Sequence, residues 1–256
     1  DNGMGAIKVN SRTQIKSFMT KQQNKIDSWN MNPPNQFFSI EEKQKIGVIS
    51  MILKMLLINT RDVLYAINSL EREKNTTAIM ILYKTFLENT IDIKYSLRFY
   101  REFDLEKISK VIDDSENGYL YAKNVRKKAN LVFPKNEDSA DALIYNYYHE
   151  TCKTAHPDFE QLYNIIRNKS AVYSIKDIIE FNVNDNIFSK NDFNKSKILK
   201  SELVQIIDCS INEIGYEVTS RYKQTDLINF QFQDGLLIPT LTNEGVKYME
   251  MTEAPE

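Results

Sequence analysis

Seven glycines and six prolines are the only strong turn-formers in 256 residues. A sandwich or barrel of short strands needs a turn roughly every 8–12 residues, so this scarcity points to long helices and a mainly α fold. Hydrophobic residues make up 42% of the chain, and at this length such a fraction buries a core without a disulfide or metal staple. The two cysteines, Cys152 and Cys209, are therefore expected as reduced thiols of a cytoplasmic protein.

Hydrophobic spacing divides the chain into four stretches. Residues 1–10 read as a disordered leader, its first three a cloning remnant before Met4. Residues 11–168 read as a helical bundle, residues 169–200 as an irregular loop pinned by Phe181, Phe188 and Phe193, and residues 201–251 as a helix followed by a small β-hairpin. The bundle is expected to hold about six to eight helices, with the helix from Ser201 packing back on it. Ser11 to Trp29 is the first, ended by Asn32-Pro33-Pro34-Asn35, because proline blocks continuation. Ser39-Ile40-Glu41-Glu42 is a capping box that opens a helix to about Leu70, with a bend expected near Asn59-Thr60. Within it, Ile46 to Ile58 is apolar nearly all round, which predicts burial on several sides. At 13 residues this run is too short for a membrane span.

Thr76 to Tyr100 is a second strong helix, capped by Asn75 or Thr76, with further helices expected over Asp104–Ile112, Tyr119–Val132, Ser139–Ala155 and Asp158–Arg167. The last long helix is expected from Ser201 to Tyr222. In the tail, Ile228, Phe230 and Phe232 alternate with polar residues, Asp234-Gly235 is a hairpin turn signal, and Leu236 to Leu241 forms the second strand. A lone hairpin is marginal in water, so it should pack on the helices or on a partner. Val246 to Met251 then reads as a final helical turn.

Charge and motifs narrow the function classes. The formal net charge is −2, from 33 basic and 35 acidic residues, which does not favour nucleic-acid binding by phosphate neutralisation. Arg126-Lys127-Lys128, the densest basic run, reads as a solvated helix face. No glycine-rich phosphate loop, CxxC pair, GxSxG elbow or His-Glu-x-x-His helix occurs, and no cofactor is expected. His149, Cys152 and His156 share a helical face at i, i+3, i+7, so either adjacent pair could grip a metal. Lys84, Glu88 and Asp92 line one face at i, i+4, i+8. They form either a solvated ion-pair stripe or, in a central helix, carboxylates that need partners.

Lys84-Thr85-Phe86-Leu87-Glu88 in a helix, followed by Tyr148, Cys152 and His156-Pro157, resembles a bacterial and archaeal all-helical family catalogued as a domain of unknown function. Its members carry an Arg-x-x-x-Glu helix and a later Tyr…Ser…His segment. The likeness spans roughly residues 45–165 and implies a helical bundle, with no activity attached. Lys84 stands where the family has Arg, and a lysine cannot make the bidentate carboxylate contact of a guanidinium. Helical ribonucleases of the HEPN type carry an Arg four to six residues before a His, a spacing that neither His149 nor His156 has. Leu241 to Gly245 is similar to the end of a winged-helix domain, but no helix-turn-helix precedes it.

The leading expectation is a non-catalytic interaction or regulatory module, tied to bacterial stress or phage defence, with a protein partner or a second copy as its ligand and no membrane contact. The alternative is an RNA-directed hydrolase in which His156 is the general acid/base, Glu88 orients it, and Tyr148 or Lys84 supports them. A third reading is a metal or small-ligand sensor built on His149, Cys152 and His156.

Overall fold

Ser11 stops the chain from extending backward as helix. Its extended backbone lets the hydroxyl accept from the Gln14 amide at 3.2 Å, and α1 (Arg12–Ser28) follows. In the computed structural model, residues 7–29, 40–73, 75–102, 125–133, 148, 190–222 and 228–252 are described. Helix α2 spans Ile40–Glu73, about 50 Å of axis, and it passes through Asn59-Thr60 without a break. There the Thr60 hydroxyl donates to the Leu56 carbonyl at 2.8 Å, so the local polar group is satisfied inside the helix. Asn75 caps α3 (Thr76–Glu102), accepting from the Ala78 amide at 3.1 Å.

Helix α3 is central. It packs against α2, against α4 (Val125–Val132) and against α5 (Lys190–Tyr222). Tyr83, Phe86, Leu87, Ile91, Ile93 and Tyr95 are all buried, as expected of a helix with neighbours on more than one side. Helix α5 supplies Leu199, Leu203, Ile207, Ile211, Ile214 and Val218 from the opposite side. Helix α5 begins at Lys190 rather than at Ser201, although the Asn- and Ser-rich segment before Ser201 has poor helix propensity. The last part of the expected loop, residues 190–200, is helix. The expected Ser39 cap, the helices over Asp104–Ile112, Ser139–Ala155 and Asp158–Arg167, and the loop up to residue 189 lie outside the described residues, apart from Tyr148.

Strands β1 (Ile228–Gln233) and β2 (Leu236–Leu241) pair antiparallel, with Gln233 opposite Leu236 and Ile228 opposite Leu241. Helix α6 (Asn243–Thr252) closes the tail, its Thr242 hydroxyl accepting from the Gly245 amide at 3.1 Å. Both central turn residues, Asp234 and Gly235, have positive φ (51° and 79°), the type I′ geometry that matches strand twist. A Cβ on Gly235 would sit 2.2 Å from Lys25 Cε and 2.8 Å from Asn212 Oδ1. The turn therefore seats directly on α1 and α5. Gly235→Ala is expected to destabilise the chain by roughly 1–3 kcal/mol, combining positive-φ strain with a forced shift of Lys25. Thermal denaturation of the two proteins checks this. Equal stability would show that the turn does not bear on the bundle.

Candidate functional site

Among the described residues three lysines are almost wholly enclosed: Lys25, Lys128 and Lys200. A buried ammonium needs a carboxylate and hydrogen bonds to be tolerated, and each of these has them.

Lys25 lies in the α1 stripe that also buries Ile15, Phe18, Gln22 and Ile26. Its Nζ donates to Asp208 Oδ1 and to Asn212 Oδ1, each at 2.7 Å. Gln22 Nε2 donates to the same Asp208 oxygen at 2.5 Å. Burial pulls the Lys25 ammonium below its usual value despite Asp208. Burial would also push Asp208 up, but hydrogen bonds from Lys25 and Gln22 outweigh it and hold the carboxyl below its usual range. Beside this cluster an open groove of about 600 Å³ runs between α1 and the hairpin turn, with Lys16, Thr20, Lys21 and Asp234 on its walls.

The second cluster includes the three residues singled out on one helical face by the sequence, Lys84, Glu88 and Asp92. Lys84 and Glu88 form an i,i+4 ion pair at 3.4 Å on α3, both partly enclosed. One turn on, Asp92 is buried and takes the Lys128 ammonium from α4. Burial pushes Asp92 up to about 6 against the lowering pull of Lys128, and Glu88 adds to the rise. The same burial lowers Lys128. Lys128 is thus not part of a solvated face: it points into the bundle because α4 buries Lys128, Ala129 and Phe133 together against α3. The third cluster joins α5 to α2, where Lys200 Nζ reaches Asn68 Oδ1 and Glu71 Oε1, each at 3.0 Å.

Tyr148 is buried. His149, Cys152 and His156 lie outside the described residues; among the described residues, Lys84 and Glu88 of the expected set meet as an ion pair. Among the described residues no group of three His, Cys, Asp or Glu side chains could hold a metal, and no helix is long and apolar enough to cross a membrane. Burial pushes the Cys209 thiol up, away from the reactive thiolate form.

The outer surface of α2 departs most from the sequence reading. Its Ile46–Ile58 run was expected to be buried on several sides, yet Met51, Met55 and Ile58 are 46%, 61% and 52% exposed. At 100° per residue these three fall opposite the buried stripe of Ile46, Ile49, Leu53 and Leu57. Gly47 continues the row one turn earlier, with open space where a Cβ would stand. The α1 and α2 helices leave a cleft of about 240 Å³ against this row, walled by Met19, Leu57, Ile58, Lys54 and Arg61. Three apolar side chains on the side away from the core were the signal available in the sequence.

No family model matches the chain, and searches of curated proteins and of solved structures found no match either. The helical-family likeness rests on its motif residues alone.

Proposed function

We propose that this chain is a protein-interaction module and that the outer row of α2 is its binding face. The single observation that carries the reading is the exposed line of Met51, Met55 and Ile58 at i, i+4, i+7. That spacing is the ridge spacing of a helix surface. Gly47 at one end allows a close backbone approach, and methionines adapt their shape to a partner surface. The occupant that suits the row is an amphipathic helix of a partner protein, laid along α2 with its apolar side down. By contrast, the described charged clusters are spent on joining α1 to α5, α4 to α3 and α5 to α2.

Met55→Lys tests the reading. The change lies on an exposed position, so fold stability should stay within about 0.5 kcal/mol of wild type. Binding to the partner recovered by the wild-type chain should fall at least tenfold, because a charge then sits in the centre of an apolar contact. Unchanged binding by a folded Met55→Lys chain would remove α2 from the interface.

A further inference from the structure

The hairpin carries a second interaction surface, independent of α2. The tight turn makes Gln233 and Leu236 a hydrogen-bonded pair. Hydrogen-bonded and non-bonded pairs then alternate along an antiparallel ladder. Phe232 opposite Leu237, Phe230 opposite Pro239 and Ile228 opposite Leu241 are therefore the non-bonded pairs. Residues in such pairs aim both backbone groups away from their partner strand. The outer edge of β2 thus belongs to Leu237, Pro239 and Leu241, and that of β1 to Ile228, Phe230 and Phe232.

The two edges differ. Pro239 has no N–H, so the middle of the β2 edge lacks its donor, a common way of closing an edge strand. The β1 sequence Ile-Asn-Phe-Gln-Phe-Gln has no proline, glycine or charge, and so none of the sequence devices that discourage pairing. Among the described residues the sheet ends there, at two strands.

We infer that β1 pairs with β1 of a second copy of this chain, joining two hairpins into one four-stranded antiparallel sheet. A two-fold axis at Phe230 sets Phe230 opposite its own copy and Ile228 opposite Phe232, giving six backbone hydrogen bonds. The occupant is a second copy because the strand is uncharged throughout, so self-pairing brings no like charges together. The same register sets Asn229 of one copy beside Gln231 of the other. Both side chains are exposed in the single chain, so their amides can bond across the junction. Four strands also relieve the marginal stability of an isolated pair.

Sedimentation equilibrium of the full chain should show a dimer that dissociates on dilution. Phe230→Pro removes an outward N–H while leaving the ladder to β2 intact, and it should give monomer at every concentration. Met55→Lys should leave the dimer unchanged, which separates this contact from the α2 face. A second measurement covers the case in which Phe230→Pro fails to fold. Asn229→Cys/Gln231→Cys should form a covalent dimer on mild oxidation, since the Cα atoms of such a non-hydrogen-bonded pair lie about 4.5 Å apart, within disulfide reach. Asn229→Cys/Gln233→Cys, out of register, should not. A wild-type monomer at all concentrations, a dimer that survives Phe230→Pro, or trapping that ignores register would each overturn the pairing.

Discussion

Asp208→Leu is expected to cost about 3–5 kcal/mol, the penalty for removing one member of a buried ion pair. Lys25 is the reason. Its Nζ loses the Asp208 oxygen at 2.7 Å and keeps only Asn212, inside a site that already disfavours the ammonium. Gln22 loses its acceptor at the same time. Lys25→Met alone should cost nearly as much, because it leaves Asp208 with the neutral amides of Gln22 and Asn212 and the more distant, exposed Lys21 as donors. The double variant Lys25→Met/Asp208→Leu removes both charges and should recover most of the loss, since an apolar pair of similar volume often matches a buried ion pair. Urea denaturation of the four chains gives the coupling directly. Simple additivity of the two single losses would mean that the residues do not act as a pair.

Acidification gives the second large effect, with a sign opposite to that of most ion pairs. Burial raises Asp92 from its ordinary 3.8 to about 6. Between those values the folded chain holds a proton that the unfolded chain has released. Stability from this group therefore rises as pH falls through about 6 toward 3.8, and is lost again as pH rises through the same window. The full span corresponds to about 3 kcal/mol. Asp92→Asn cannot titrate, so the wild-type-minus-variant difference isolates the effect. That difference should move in favour of the wild type from pH 7 down to pH 4. A difference moving the other way would mean that Lys128 holds Asp92 ionised despite its burial.

Local chemistry made the helices legible. Ser11, Asn75 and Thr242 are side-chain caps, and caps depend on residues only three positions apart. Asp234-Gly235 marks the turn for a similarly local reason, as both residues tolerate positive φ. The start of α5 was not legible, because Asn, Asp and Ser are weak helix formers and propensity alone reads residues 190–200 as loop. Nor were the ion pairs. Lys25 and Asp208 lie 183 residues apart, and no periodicity states which carboxylate meets which lysine. Part of the signal was present nonetheless: Gln22 and Lys25 interrupt the stripe of Ile15, Phe18 and Ile26, and a polar residue in an apolar stripe demands a buried partner. The basic run at Arg126 misled because charge alone does not say which face of α4 Lys128 occupies.

The α2 row shows the converse error. An apolar run does not by itself mean burial, because apolar atoms also make up much of any protein surface. What distinguishes Met51, Met55 and Ile58 is their alignment on the side away from the core.

A photo-crosslinking residue placed at position 55 of the full chain, in the cells that produce it, tests the binding face most directly. Position 213, exposed on α5, serves as the control. A discrete protein adduct from 55, absent from 213 and mapping to an amphipathic helix of the partner, is the result expected here. No adduct from 55, or the same adducts from both positions, would contradict it.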